Sequence, residues 1–330
     1  VTTPNIETEW SKTSKEITTN VKVDLSASET KTVSVTVEIL DSVDTVVGTL
    51  KKNVEIASGN TVVSNFEIKV KKPLLWSIGS GNIYRAKVQV KYDKNVFYKT
   101  VDFGYRWFTF DVTNGFSLNG ERMKLKGVCL HEDSGCLGNE ANESAYERQI
   151  VKLTAMGINA IRMCHNPFPE IFVKLCEKHG VLLLADLFDE WNLVKKGSVN
   201  ETGGFYRFFD EHYKEVIRTV LSRDVNSPSI FAWLIGNEII RANSYTQANA
   251  VAIAQGIINT IREYDSYRPI TMGDDTPSDT ISLAIADLLD IEGINYGSQS
   301  EYETFRAAKP TKPLFGSETT SALSSRGVYK

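Results

Sequence analysis

The sequence predicts a multidomain chain: an all-β, immunoglobulin-like sandwich followed by a (β/α)8 barrel that stops after its seventh strand. Two rhythms in the hydrophobic pattern and one set of polar residues carry this expectation. From residue 17 to about 110 the chain alternates with period two, as strands with one buried face do. From residue 124 onward, short apolar runs are each followed by a helical pattern, as in repeated βα units. The polar residues come directly after those apolar runs.

The alternating runs are ITTNVKVDLS from Ile17, KTVSVTVEIL from Lys31, NTVVSNFEIKV from Asn60, YRAKVQVKY from Tyr84 and VFYKTVDFGY from Val96. Turns rich in Ser, Asn, Gly and Lys separate them, at the spacing and total length of a sandwich of roughly 100 residues. No paired cysteines staple these runs, so such a domain relies on its apolar core. Residues 1–110 are expected to form it, and residues 111–330 the barrel.

After NGFSLNGERM the barrel strands are expected at KLKGVCL (124–130), NAIRMC (159–164), VLLLADL (181–187), SIFAWLIG (229–236), PITMG (269–273), DIEGINY (290–296) and PLFGS (313–317). Helical patterns such as SAYERQIVKLTAMG, PEIFVKLCEKHG, FYRFFDEHYKEVIRTVLSRD and TQANAVAIAQGIINTIREYD lie between them. Seven such units favour a barrel over a doubly wound sheet. No GxGxxG follows the first run, which speaks against a dinucleotide site.

Composition excludes several function classes. Of 330 residues, 42% are hydrophobic and 24% charged, and 41 acids against 37 bases give a net charge of −4. No basic block stands out, so nothing points to nucleic acid or an anionic membrane as a partner. No apolar run approaches the ~18 residues of a membrane-spanning helix. The opening VTTPNIETEW lacks the charged-then-apolar order of a signal peptide and begins without Met, so the chain reads as a piece of a longer protein. Export is left open, and a periplasmic or extracellular location suits the parent protein as well as any other. Cys129, Cys136, Cys164 and Cys176 show no CxxC spacing, and the four histidines form neither HxH nor HExxH. No metal and no cofactor are expected.

The expected strands end in a rich polar set: His131-Glu132-Asp133, His165-Asn166, Asp186 with Asp189-Glu190-Trp191, Asn237-Glu238, Asp274-Asp275, Asn295-Tyr296 and Ser317-Glu318. In a barrel all of these converge on the carboxyl-terminal rim, where such folds keep their chemistry. Glu238 and Glu318, at the ends of the fourth and seventh strands, would face one another across the mouth. Cleaving a glycosidic bond with retention needs such a pair, one acid to protonate the leaving oxygen and one carboxylate to attack the anomeric carbon.

The ordered segments PLLWSIGSGNIYRAKV, GERMKLKGVCLHED, GINAIRMCHNP, FDEW, RDVNSPSIFAWLIGNE and KPLFGSET together resemble glycoside hydrolase family 2, which contains β-galactosidases, β-glucuronidases and β-mannosidases. The likeness runs from about residue 17 to 330. It implies a retaining, exo-acting β-glycosidase working on oligo- or polysaccharides, with Glu238 as general acid/base and Glu318 as nucleophile. It further implies that Asn237 bonds the sugar 2-hydroxyl, that Tyr296 holds the nucleophile, and that Arg162 pairs with it. His165, and less closely His131, match histidines near the sugar, and Trp191 could stack on a sugar face. Each supporting residue also has a plainer reading. Arg162 can bridge acids inside a barrel, His165 can pack on Trp191 or Pro167, Trp191 can be core, and Asp189 and Glu190 can pair with the lysines of VKKG.

The chain departs from the family in lacking a jelly-roll domain before the sandwich and an eighth strand after Glu318. Whether these residues are active by themselves is therefore left open, as is a non-catalytic carbohydrate-binding role. The look of FDEW and SETTSALSSRG points to β-galactosides first, with β-glucuronides and β-mannosides as alternatives. The NxK motif that reads a glucuronide carboxylate would lie beyond residue 330.

Overall fold

The computed structural model describes residues 4–11, 15–195, 204–240 and 244–321. Its amino-terminal part is a two-sheet sandwich. One sheet joins β1 (Asn5–Ser11), β2 (Glu16–Ser26) and β5 (Thr61–Lys71). The other has the order β4-β3-β6-β7, from β3 (Lys31–Leu40), β4 (Val46–Ile56), β6 (Tyr84–Tyr92) and β7 (Asn95–Phe103). All pairings are antiparallel. The period-two pattern is realised as expected: in β2 the residues Ile17, Val21, Val23 and Leu25 are buried while their neighbours are not. They share a core with Phe66 of the neighbouring β5 and with Val35, Val37 and Val88 of the facing sheet. Each such aliphatic side chain contributes about 1.5–3 kcal/mol through burial.

Two strands of the sandwich fall outside the five runs expected from the pattern. In β4, VVGTLKKNVEI, only Val54 and Ile56 are buried, because Gly48, Lys51 and Lys52 interrupt the alternation where the strand runs along the sheet edge. β1 precedes the first run altogether and is held by pairing with β2.

A short antiparallel sheet follows, formed by β8 (Phe108–Asp111), β9 (Gly115–Leu118) and β10 (Glu121–Arg122). Phe116 and Leu118 from it pack with Trp76 against Leu184, Phe231 and Leu234 of the larger sheet. Arg106 locks the two parts together, donating to the carbonyls of Pro228 at 2.9 Å and Ile230 at 3.1 Å from a buried position. Trp76, also buried, donates its indole N–H to the Glu177 carbonyl over 2.9 Å.

The remainder is a curled, seven-stranded, all-parallel sheet in sequence order: β11 (Gly127–His131), β12 (Ala160–Cys164), β13 (Leu182–Asp186), β14 (Ile230–Asn237), β15 (Ile270–Asp274), β16 (Glu292–Asn295) and β17 (Leu314–Glu318). Each expected run overlaps its strand, and β11, β14, β15 and β17 extend one residue further, to His131, Asn237, Asp274 and Glu318. Helices α1 (Glu143–Ala155), α2 (Glu170–His179), α3 (Phe209–Asp224), α4 (Gln247–Arg262), α5 (Thr280–Ala286) and α6 (Gln299–Ala308) connect them. Starts are capped where the sequence supplies a cap: Asn142, Thr246, Asp279 and Ser298 each accept a first-turn backbone N–H, and Ser298 with Glu301 forms a full capping box. The sheet curls far enough that Cys129 Sγ on β11 lies 3.5 Å from the Ser317 carbonyl oxygen on β17. Among the described residues no eighth strand joins these two edges. The architecture is thus a sandwich followed by seven strands of a barrel.

Candidate active site

β14 is buried along its whole length, so its end is where a carboxylate can first reach solvent. The register with β15 shifts between Leu234 and Asn237, and Glu238 then takes a left-handed backbone, φ 48°, with its N–H donating to the Gly273 carbonyl over 2.7 Å. Such a backbone is costly for a side-chain-bearing residue and is held here by that bond and the buried Ile239 and Ile240 beyond it. Tyr296, just past β16, does the same with φ 52°. Both residues turn at the mouth of the barrel.

Arg162 organises the floor. It points inward from β12 and is 4% exposed. Its Nε lies 3.0 Å from Asp186 Oδ2, its Nη1 2.7 Å from Glu318 Oε1, and its Nη2 2.9 Å from Asn237 Oδ1. Burial works against a charged guanidinium, but Asp186 and Glu318 more than offset it and raise the pKa of Arg162. Gly273 makes room, since a Cβ there would meet Arg162 Nη2 at 2.7 Å and Asn237 Oδ1 at 2.9 Å.

Asn295 joins the two glutamates. Its Oδ1 accepts from Ser317 Oγ at 2.7 Å and faces Arg162 Nη1 at 3.4 Å, so the amide nitrogen must face the other way. That nitrogen lies 3.0 Å from Glu238 Oε1, 2.9 Å from Glu318 Oε1 and 3.0 Å from Asn237 Oδ1. One bridging atom at these distances holds the two carboxylate oxygens within about 6 Å of each other, close to the ~5–5.5 Å separation of a retaining pair. An amide nitrogen has two hydrogens for three acceptors, so this contact set is shared.

Tyr296 donates its hydroxyl to Glu318 Oε2 at 2.6 Å, and that bond raises the pKa of the phenol. His165 Nδ1 lies 3.2 Å from Asp186 Oδ2 and its Nε2 3.7 Å from Glu318 Oε1. His131 is exposed, its ring 5.2 Å from that of His165 and nearly perpendicular to it. Partial burial and the neighbouring His165 lower its pKa.

The structure therefore brings Glu238, Glu318, Asn237, Tyr296, Arg162, His165 and His131 together at one rim. Trp191 is different. It is fully buried, with its indole N–H donated to the Ile235 carbonyl over 2.8 Å and its ring against Tyr245, so it has no face open to a sugar and instead supports the end of β14. Asp189 pairs with Lys195 at 2.5 Å. Asp274 and Asp275, which follow the expected fifth strand, are buried, and β15 carries Asp274 as its last residue. Two members of the site, Asp186 and Asn295, stand in the polar set at the strand ends but had no role assigned from sequence. Both are polar residues closing an apolar strand, and their inward direction follows only from register with Arg162 and Asn237. A cavity of about 740 Å³ adjoins the rim, lined among others by His131, Glu132, His165, Phe188, Asp189 and Glu190.

With this geometry in view, comparison with known proteins is decisive about family. Residues 111–330 match "Glycosyl hydrolases family 2, TIM barrel domain", and residues 1–106 match "Glycosyl hydrolases family 2". The chain belongs to glycosyl hydrolases family 2. Among family members, Beta-galactosidase BoGH2A of Bacteroides ovatus is 30% identical over 305 residues, covering 84% of this chain and 35% of that protein. A putative beta-glucuronidase of Formosa agariphila is 34% identical over 294 residues, covering 85% of this chain and 26% of that protein. The crystal structure of a family 2 member from Bacteroides cellulosilyticus superposes with a TM-score of 0.88 at 29% identity, over 96% of this chain and 40% of that one. The chain thus spans about a quarter to a third of the length of these family 2 relatives.

Proposed function

We propose that this chain carries the reaction centre of a retaining, exo-acting β-glycosidase. Glu318 attacks the anomeric carbon to form a glycosyl-enzyme, while Glu238 protonates the departing oxygen and then, as a base, activates the water that releases the sugar. Arg162 and Tyr296 hold Glu318, occupying both of its oxygens and leaving the carboxylate one orientation. Asn237 is oriented by Arg162 toward the sugar 2-hydroxyl. His165 Nδ1 lies 3.2 Å from both Asp186 Oδ2 and Arg162 Nη2, and its Nε2 is the ring nitrogen left to meet a sugar hydroxyl. The observation that carries the reading is the Asn295 amide nitrogen lying between Glu238 Oε1 and Glu318 Oε1.

For substrate we propose a β-galactoside. Glu132, Asp189 and Glu190 line the adjoining cavity, and Lys195 is already committed to Asp189, so a uronate carboxylate would meet like charge there. The second reading, a β-glucuronide, draws on relatives and neighbours that bear that name, such as the β-glucuronidase of Bacteroides uniformis with a TM-score of 0.75. The SETTSALSSRG segment that also suggested galactosides extends from residue 322 outside the described residues. A panel of nitrophenyl glycosides, run on the longest natural chain containing these residues with Glu318→Ala as the blank, tests both levels. Turnover of the galactoside is expected. Turnover of the glucuronide alone would overturn the substrate, and equal turnover by Glu318→Ala would overturn the mechanism.

A further inference from the structure

The sequence has none of the spacings that announce a bound metal. The fold nevertheless assembles donors that sequence distance hides. Parallel pairing of β11 with β12 sets His131 opposite Cys164, and the residue after Cys164 is His165. The Cys164 sulfur and one nitrogen from each imidazole all lie within 4.8 Å of one another. A tetrahedral zinc ion, with bonds of about 2.0–2.3 Å, needs its donors roughly 3.5 Å apart. Closing that gap takes about 1 Å of movement among the donors, of which His131 is the exposed one.

Two further features suit a cation there. His165 Nδ1 lies 3.2 Å from Oδ2 of the buried Asp186 and 3.2 Å from Arg162 Nη2; the tautomer that gives Nδ1–H to Asp186 leaves Nε2 as a lone pair, the carboxylate–histidine arrangement that orients metal-binding imidazoles. Glu318 Oε1 lies 3.7 Å from that Nε2 and is placed to face a fourth coordination position. The nearby positive charge, Arg162, is already paired with both Asp186 and Glu318. Two imidazoles and a sulfur form a borderline-soft donor set, which fits Zn²⁺ and disfavours Ca²⁺ or Mg²⁺.

We propose that His131, Cys164 and His165 form a binding site for a zinc-type divalent cation at the floor of the barrel mouth. On binding, the Cys164 S–H bond breaks, the proton passes to solvent and a metal–sulfur bond forms, with no change of oxidation state. An ion held there engages His165 and stands against Glu318, so its presence excludes sugar. That consequence rests on the catalytic reading of Glu318; binding itself does not.

Cobalt(II) is the probe. Titration of the apo protein is expected to give one equivalent with a near-ultraviolet sulfur-to-cobalt charge-transfer band that added Zn²⁺ displaces. The band is expected to vanish in Cys164→Ser, and affinity to fall roughly tenfold or more in His131→Ala. It should persist in Cys136→Ser, whose thiol is exposed on a separate loop. His131→Ala alters an exposed side chain and keeps the test decisive should Cys164→Ser fail to fold. Absence of the band in the unmodified protein, its survival in Cys164→Ser, or unchanged affinity in His131→Ala would overturn the site.

Discussion

Tyr296 holds Glu318 at two points: its backbone N–H donates to the Glu318 carbonyl over 2.6 Å, and its hydroxyl donates to Oε2 over 2.6 Å. The first bond ties the chain just past β16 to the end of β17. The second fixes the carboxylate itself, on the side opposite Arg162 and Asn295.

Removing only the second should separate positioning from folding. Tyr296→Phe keeps the backbone bond and the ring, and Tyr296 is 49% exposed, so stability should hardly change. A hydrogen bond to a charged group is worth about 1.5–3 kcal/mol, so kcat on a nitrophenyl galactoside should fall roughly 10- to 100-fold. Because the bond to Glu318 raises the phenol's pKa, the hydroxyl remains a donor throughout the neutral range, and the loss should be independent of pH there. A kcat within twofold of the unmodified protein would remove Tyr296 from the mechanism.

Glu238→Gln tests the other carboxylate through the leaving group. The amide keeps its place beside Asn295 but cannot give up a proton. Alkyl galactosides, whose departing oxygen needs that proton, should lose about 10²–10⁴ in rate, while dinitrophenyl galactosides should be largely spared. Equal loss on both substrates would reject the assignment.

Asp186→Ala should damage folding more than either change above. Asp186 is fully buried and is the main partner of the Arg162 guanidinium, which is itself 4% exposed. Its removal leaves the buried guanidinium with Glu318 as its remaining carboxylate partner, so the cost should approach the ~3–5 kcal/mol of breaking a buried pair. The urea midpoint should drop accordingly with an unchanged slope. A shift below 1 kcal/mol, on the ~1 kcal/mol scale of exposed pairs, would mean that water reaches Arg162.

The barrel was legible because the five inner strands of the parallel sheet, β12 to β16, are buried on both faces and read as apolar runs, and the partly exposed edge strands β11 and β17 keep enough apolar residues to read alike. Glu238 and Glu318 were legible because each follows such a run. What stayed hidden depends on direction, which a two-sided apolar run does not reveal. Asp186 and Asn295 close their strands much as Asp274 does, yet the first two point into the barrel and Asp274 points to the helices. Trp191 follows a strand end like a sugar platform, but a backbone carbonyl at Ile235 draws its indole inward. The His131, Cys164 and His165 cluster arises from pairing between strands some 30 residues apart in sequence. β4 was missed for the converse reason, since an edge strand with lysines on it need not alternate.

Glu292 offers a prediction about pH. It opens β16, is 1% exposed, and neither carboxylate oxygen has a hydrogen-bond partner. Burial, and then the nearby Asp274, push its pKa well above 4.5, against weaker opposing effects from Lys312 and Lys309. An acid with a raised folded-state pKa retains its proton in the native state after the unfolded chain has lost it. Protonation therefore favours the fold. The stability it contributes is complete below the unfolded value near 4.5 and is lost as pH rises toward the folded value. The loss can reach about 1.4 kcal/mol per pH unit for one proton. Glu292→Gln has nothing to ionise, so its stability relative to the unmodified protein should be flat below pH 4.5 and should improve steadily above it. Urea unfolding of both proteins at a series of pH values reads this directly. Parallel curves across the series would show that Glu292 is ionised and compensated in the native state, which its unpartnered oxygens argue against.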